Sequence, residues 1–238
     1  MQYKDGVSLE PARQVGQFLA EKQPEVIILG GDFSDMPSLS SYDKGKASFE
    51  GRRYQKDVDA TKRAMEAFME PIRKARGYKP RLVLTLGNHE ARITRAAEEQ
   101  PELEGLISID DLEYESFGWE VIPFLKPISI NGIMYCHYFT SGVMGRPITS
   151  AAALLAKKHM SCVAFHQQGK QIAYSTRADG STITGMIIGS CYNHSENYLG
   201  PQGNRHWRGF AMLHDVHNGS CDEMFISLPY LKRRYGSK

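Results

Sequence analysis

The sequence predicts an α/β fold, a sandwich of two sheets flanked by helices. In residues 1–86, helical patterns alternate with β-branched apolar runs, which is typical of a parallel sheet with helices packed on it. Residues 120–228 hold shorter strand patterns separated by turn signals, such as Asn-Gly at 131–132 and Asp-Gly at 179–180, which favour antiparallel pairing. We expect both halves to pack as two sheets in one domain covering residues 1–238.

The first half begins with a helix predicted over residues 8–22, whose apolar side chains share one face. The apolar run at 26–29 is a predicted strand, and residues 36–55, rich in Ser, Gly, Lys and Asp, form a predicted loop. An amphipathic helix over 57–75 then leads to a second strand at 82–86. We expect the two strands to be neighbours in one parallel sheet, where functional residues gather at the carboxyl ends.

The second half has more elements, and most of them are short strands. A loop at 192–208, rich in Gly, Asn and Ser, either overhangs a functional site or is simply an exposed connection. In chain order, the predicted helices lie at 91–99, 109–116 and 149–158, and the predicted strands at 120–124, 127–130, 133–138, 161–165, 171–177, 182–190, 209–216 and 221–228.

The composition is that of an ordinary globular protein. Hydrophobic residues make up 41% and charged residues 24% of the 238 residues, and the net charge of +2 at pH 7 gives no indication of a nucleic-acid or membrane partner. No apolar run approaches the roughly 20 residues needed to span a bilayer. Because the four cysteines form no Cys-x-x-Cys pair and no signal peptide is apparent, we expect reduced thiols in a cytoplasmic protein.

Polar residues with metal-ligating side chains follow several of the predicted strands. Carboxylate oxygens, an amide oxygen and imidazole nitrogens suit a divalent transition ion, so the set predicts hydrolytic chemistry. Taken singly, each residue also has an ordinary explanation as a turn, cap or core residue, and only their joint occurrence favours a site. The set comprises Asp32 and Asp35 after the first strand, Asn88 and His89 after the second, His137 at the end of a hairpin strand, and His166 and Gln168 after a short buried strand.

The order and spacing of these motifs resemble those of the calcineurin-like metallophosphoesterases. Residues 31–35 match the family's Gly-Asp-x-x-Asp, residues 87–90 match its Gly-Asn-His-Glu, and His137 and His166 follow in the expected order. The resemblance covers nearly the whole chain. It implies a metal-dependent phosphatase or phosphodiesterase that hydrolyses a phosphomonoester or phosphodiester by attack of a metal-activated hydroxide.

The resemblance implies a metal-binding role for four residues. Asp32 is similar to the carboxylate that bridges two metal ions, and Asn88, His137 and His166 are similar to the remaining ligands of the second ion. The implied cofactors are divalent ions of the Mn²⁺, Zn²⁺ or Fe²⁺ class. Two such cations would clamp the phosphoryl oxygens of the substrate.

Two further residues receive roles from the same resemblance. His89 is similar to the histidine that contacts the phosphate and protonates the leaving oxygen, and is therefore the predicted catalytic residue. Asp35 is similar to the carboxylate that fixes the orientation of a metal ligand. Arg92 and Arg95 follow on a short helix, where arginine is usually just solvated; of the two we select Arg92 as a phosphate contact.

The chain departs from the family pattern in two places. The Asp-x-His that ends the family's first strand is absent, and the family's Gly-His-x-His reads Phe-His-Gln-Gln at 165–168, which leaves Gln168 as a weak ligand. We favour an N-terminally truncated chain that lacks the first strand, because losing a central strand leaves its neighbours unpaired. The other interpretation, a natural chain with a degenerate first site, is supported by Gln168. Either way we expect one intact metal site and a doubtful second one.

The sequence therefore leaves two hypotheses for the function. The first is a phosphoesterase whose substrate class the motifs do not specify, since nucleic-acid ends, cyclic nucleotides, nucleotide pyrophosphates and phosphoproteins are all hydrolysed within this superfamily. The second is a catalytically impaired protein of the same fold that binds a phosphate ligand or a partner protein.

Overall fold

The computed structural model describes residues 1–196 and 199–236 and shows a mixed α/β protein, which confirms the predicted class. The chain divides into two compact units, Met1–Phe124 with Leu231–Lys238, and Leu125–Tyr230. No helix in the described ranges is long and apolar enough to cross a membrane. That the whole chain forms a single domain stays a prediction.

The first unit contains a parallel sheet made of β1 (Val26–Leu29), β2 (Arg81–Thr85) and β3 (Glu120–Ile122), in that spatial order. The two strands predicted to be neighbours do pair in parallel, with Val26 opposite Arg81. Their carboxyl ends therefore lie at the same edge of the sheet, and the motif loops begin there.

The helices of this unit are α1 (Glu10–Lys22), α2 (Tyr54–Lys74) and α3 (Ala91–Glu99). Helices α1 and α2 approach so closely that a Cβ on Gly16 would lie 2.2 Å from the carbonyl oxygen of Phe68, so only glycine fits there. The predicted start of α1 at residue 8 was two residues early, and the predicted start of α2 at residue 57 was three residues late.

Short 3-10 turns replace regular structure in two predicted segments. The loop predicted at 36–55 contains such turns at Pro37–Leu39, Ser41–Asp43 and Ala47–Phe49. The helix predicted at 109–116 is wrong: two 3-10 turns, Ile109–Leu112 and Glu115–Phe117, take its place. They are separated because Glu113 adopts the left-handed conformation, with φ 55°, which ends the first turn.

The second unit contains a mixed sheet in the order β4-β5-β8-β10-β9 and the antiparallel pair β11-β12. The hairpin predicted at Asn131-Gly132 is confirmed, because β4 and β5 pair antiparallel across it. The strands are β4 (Ile128–Ile130), β5 (Ile133–Cys136), β6 (Thr140–Ser141), β7 (Arg146–Pro147), β8 (Cys162–Ala164), β9 (Lys170–Thr176), β10 (Thr182–Ile188), β11 (Gly209–His217) and β12 (Ser220–Ser227).

The remaining helices are α4 (Ala151–Lys158), the short α5 (Gly200–Gly203) and α6 (Leu228–Tyr235). Helix α6 and the small β6-β7 hairpin were not predicted from the sequence. Helix α4 begins at Ala151 rather than at residue 149, because the Ser150 side chain caps it by accepting a hydrogen bond from the backbone N–H of Ala153.

The cysteines are free thiols. Cys136 and Cys162 are buried, and Cys191 and Cys221 are half-buried. Burial raises the pKa of both Cys136 and Cys162 to about 11, which keeps these two side chains protonated and unreactive near neutral pH.

Candidate functional site

The buried side chain of Glu90 ties together the loops that follow β1 and β2. Its two carboxyl oxygens accept hydrogen bonds from the backbone N–H groups of Asp32, Ser34 and Gly87, each at 2.9 Å, and from the Tyr114 hydroxyl at 3.2 Å. A buried carboxyl group needs such donors, since it has lost its contacts with water. Glu90 therefore fixes the backbone of both motif loops.

Glycine allows these two loops to touch. Gly31 has a φ of +83°, and a Cβ on it would lie 2.6 Å from the backbone nitrogen of Gly87. A Cβ on Gly87 would lie 2.2 Å from Oδ1 of Asp32. Asp32 itself has a φ of 50°, a left-handed conformation that aspartate tolerates better than most residues. The Asp32 carboxylate is thereby held against the loop that carries Asn88. The side chain of Asn88 is half-buried.

Asp35 positions the imidazole of His89. Nδ1 of His89 lies 2.7 Å from Oδ1 of Asp35 and 3.0 Å from its backbone oxygen. Both partners are oxygen acceptors, so we assign the Nδ1 proton to this contact. Nε2 is then directed away from Asp35 and lies 3.9 Å from Oδ2 of Asp32. The backbone N–H of His89 also donates to Oδ1 of Asp32, at 3.0 Å.

The charges around His89 favour its protonated form. Burial alone would lower the pKa of His89, but the carboxylates of Asp32 and Asp35 outweigh burial and the neighbouring Arg92, so its pKa is raised. Burial would likewise raise the pKa of Asp35, yet His89 and Lys4 hold it below its usual range. Lys4 contributes through an ion pair in which its Nζ lies 2.8 Å from Oδ2 of Asp35. A cationic imidazole oriented by a carboxylate can donate a proton.

Arg92 lies beside this histidine. Its Nη1 donates to the backbone oxygens of Asp35, at 2.8 Å, and Met36, at 3.3 Å, and its Nη2 lies 3.3 Å from Nε2 of His89. Backbone carbonyls thus hold the guanidinium in place, and the Asp35 carboxylate lies 3.8 Å from Nη1 as an ion-pair partner. Arg92 is therefore a positioned cation in the first unit, next to the predicted catalytic residue.

His137 and His166 form a pair in the second unit. Nε2 of His137 lies 3.2 Å from Nδ1 of His166. The pair extends the parallel contact of β5 with β8, because the backbone oxygen of His137 accepts from the N–H groups of Phe165 and His166, both at 2.9 Å. His137 follows β5 rather than lying within it, since the strand predicted at 133–138 ends at Cys136. Two ring nitrogens at this separation are suited to share a cation.

Gln168, the predicted weak ligand, lies in a hydrogen-bond network of the second unit. Its Oε1 accepts from the hydroxyls of Ser190 and Tyr192, and Ser190 in turn accepts from the backbone N–H of Gly169. Two donors already occupy the two lone pairs of this amide oxygen. The network fixes the side chain, and a ligand role for Gln168 stays a prediction.

Arg208 orders the described part of the loop predicted at 192–208. Its guanidinium donates to the backbone oxygens of Tyr192, at 3.0 Å, and His194, at 2.8 Å, and lies over the Tyr192 ring at 4.7 Å from its centroid. His194 stacks on the same ring, with centroids 4.6 Å apart. Residues 197 and 198 of this loop lie outside the described residues.

Sequence reasoning missed two residues that organise the first unit. Glu90 was part of the Gly-Asn-His-Glu motif but received no role, because nothing in this polar strand-to-helix turn indicates which groups its carboxyl oxygens contact. The role of Lys4 could not be predicted from the sequence, because its contact with Asp35 depends on residues 1–5 running beside the loop after β1.

The predicted ligands provide suitable donors for a metal. Asp32 is buried in the first unit, and in the second unit His137 is buried and His166 is half-buried; each carries a donor atom of a kind that divalent ions accept. Comparison with protein-family models, with curated proteins and with solved structures gave no significant match.

Proposed function

We propose that this protein is a metal-dependent phosphoesterase with a two-sheet sandwich fold of the calcineurin-like type. The observation that carries the proposal is the arrangement of His89: a half-buried imidazole in the first unit, hydrogen-bonded to Asp35 and held beside Asp32 by loops that Glu90 ties together. The motif order supports the same function. A half-buried histidine whose protonated form is favoured by neighbouring carboxylates is suited to general acid catalysis.

The donor set fits a divalent ion. Asp32 and Asn88 in the first unit and His137 and His166 in the second supply carboxylate oxygen, amide oxygen and imidazole nitrogen, which Mn²⁺, Zn²⁺ and Fe²⁺ all accept as ligands. When bound, such an ion supplies Lewis-acid stabilisation of the negative charge that develops on the phosphoryl oxygens.

In the proposed hydrolysis the oxygen of a water molecule bonds to phosphorus as the ester bond breaks, and the chain's own residues account for proton transfer and phosphate contact. His89 holds a proton on Nε2 and transfers it to the leaving oxygen as the ester bond breaks. Asp35 orients the ring through Nδ1 and stabilises its charged form. Arg92 binds a phosphoryl oxygen of the substrate, to which its fixed guanidinium presents N–H donors.

Hydrolysis of simple aryl phosphates tests the proposal. With added Mn²⁺, the purified protein should release nitrophenol from para-nitrophenyl phosphate or from its bis ester, and a chelator should abolish the reaction. Restoring Mn²⁺ after chelation should recover it, which controls for denaturation. Absence of turnover with several divalent ions and both esters would contradict the proposal.

A second candidate, a phosphate-binding protein without turnover, is favoured by one observation. The Gln168 amide oxygen already accepts two hydrogen bonds, so its capacity to complete a second metal site is reduced. In that case, titration calorimetry would detect binding of inorganic phosphate to protein that hydrolyses neither ester.

A further inference from the structure

A cavity of about 250 Å³ opens on the first unit beside α3. One face of this helix lines it, through Arg92, Arg95, Ala96 and Glu99 at the i, i+3, i+4 and i+7 positions. Its volume lies just below the roughly 300–1,000 Å³ of pockets that enclose whole ligands. The cavity therefore suits one polar group of a larger molecule.

The lining of this cavity is cationic. Lys44, from the segment between 3-10 turns, joins Arg92 and Arg95 against the single carboxylate of Glu99. Within the part of the chain that the structure describes, neither the Lys44 ammonium nor the Arg95 guanidinium has an ion-pair partner. The neighbouring Arg52, by contrast, is paired with Asp43 at 2.8 Å. Uncompensated positive charge in a concave surface attracts anions.

Arg92 connects this cavity to the proposed catalytic residue. Its guanidinium lines the cavity, and its Nη2 also lies 3.3 Å from Nε2 of His89. Arg95 lies one helical turn further from His89 on the same face of α3. An anion in the cavity would thus lie next to a phosphate held at His89.

We infer that the cavity binds a second phosphate group of the substrate, and that the substrate class is esters carrying at least two phosphate groups. This inference rests on the proposed function, because His89 defines where the cleaved phosphate lies. Arg95 and Lys44 supply N–H donors and charge to the second phosphate, while Arg92 is shared between the two. Glu99 opposes binding by charge repulsion.

Binding of tripolyphosphate to chelator-treated protein tests the cavity without any turnover. Titration calorimetry should show binding that Arg95→Gln and Lys44→Gln each weaken about tenfold, since each removes a charged donor to phosphate. Glu99→Gln should tighten binding instead. Arg76→Gln, which removes an exposed arginine outside the cavity, is the matched control and should have no effect. Equal weakening by Arg76→Gln and Arg95→Gln would overturn the inference.

Substrate preference provides the second test. The protein should release phosphate from adenosine 3′,5′-bisphosphate with a kcat/KM about tenfold above those for the 3′- and 5′-monophosphates, and Arg95→Gln should bring the ratio close to one. Turnover of all three with a ratio near one in the unsubstituted protein would overturn the inference but leave the proposed function standing. Binding in chelator without turnover of any ester would contradict the proposed function and with it the substrate class, and would leave the cavity as a binding site for phosphate groups.

Discussion

Substitution of His89 by alanine is expected to lower the turnover of an aryl phosphate by about 10²–10⁴-fold, the range usual for loss of a general acid. The imidazole is half-buried, its Nδ1 lies 2.7 Å from the Asp35 carboxylate, and its pKa is raised by the carboxylates around it. The variant retains Asp32 and Asn88, so its metal content should be nearly unchanged. Steady-state kinetics and plasma mass spectrometry of the same preparation measure both quantities.

Two further variants separate the roles. Asp32→Ala should remove metal as well as activity, because it deletes a charged ligand. His214→Ala removes an exposed imidazole from β11 and should leave turnover and metal content unaltered. If His89→Ala lost the metal while Asp32→Ala kept it, the assigned roles would be reversed.

Glu90→Gln is expected to reduce the free energy of unfolding by about 2–3 kcal/mol. The glutamine side chain presents an NH₂ group where Glu90 presents an oxygen, so at least one of the N–H groups of Asp32, Ser34 and Gly87 would lose its acceptor. A buried donor left without a partner costs about 1–3 kcal/mol, and the two facing donors repel one another. Urea unfolding followed by circular dichroism gives the difference.

Glu120→Gln is the matched control for this change. Glu120 is exposed and paired with Arg81 across the sheet, at 2.7 Å, so its loss should cost less than about 1 kcal/mol. A cost for Glu90→Gln no larger than that of Glu120→Gln would mean that the hydrogen bonds of Glu90 do not hold the motif loops.

The elements that could be predicted from sequence are those defined by local patterns. The apolar run of β1 and the Asn131-Gly132 turn depend on neighbouring residues only, and both were found where expected. Helix α6 was missed because the alternating strand pattern of β12 continues through Ser227 to Leu228, although Pro229 is well placed in a first helical turn. The β6-β7 strands, each a residue pair, are too short for alternation to show.

The residues of the candidate site likewise divide into those that local motifs identify and those that depend on distant contacts. His89 and Asp35 were identified because their motifs name them, and the structure places the two side chains in contact. The partners of Glu90 and Lys4 were not identified, because each bond joins backbone or side chains from distant stretches, and single-sequence patterns contain no information about such pairs.

The hydrogen bonds of Glu90 also bear on the order of folding. They join Glu90 to Asp32 and Ser34 across 58 and 56 residues of chain, so they close a long loop at a high entropic cost before they stabilise anything. Contacts of this range usually form after the rate-limiting step when nearer contacts can form the nucleus. Removing them should therefore accelerate unfolding more than it slows refolding, and a refolding chain should acquire its helices before its two motif loops.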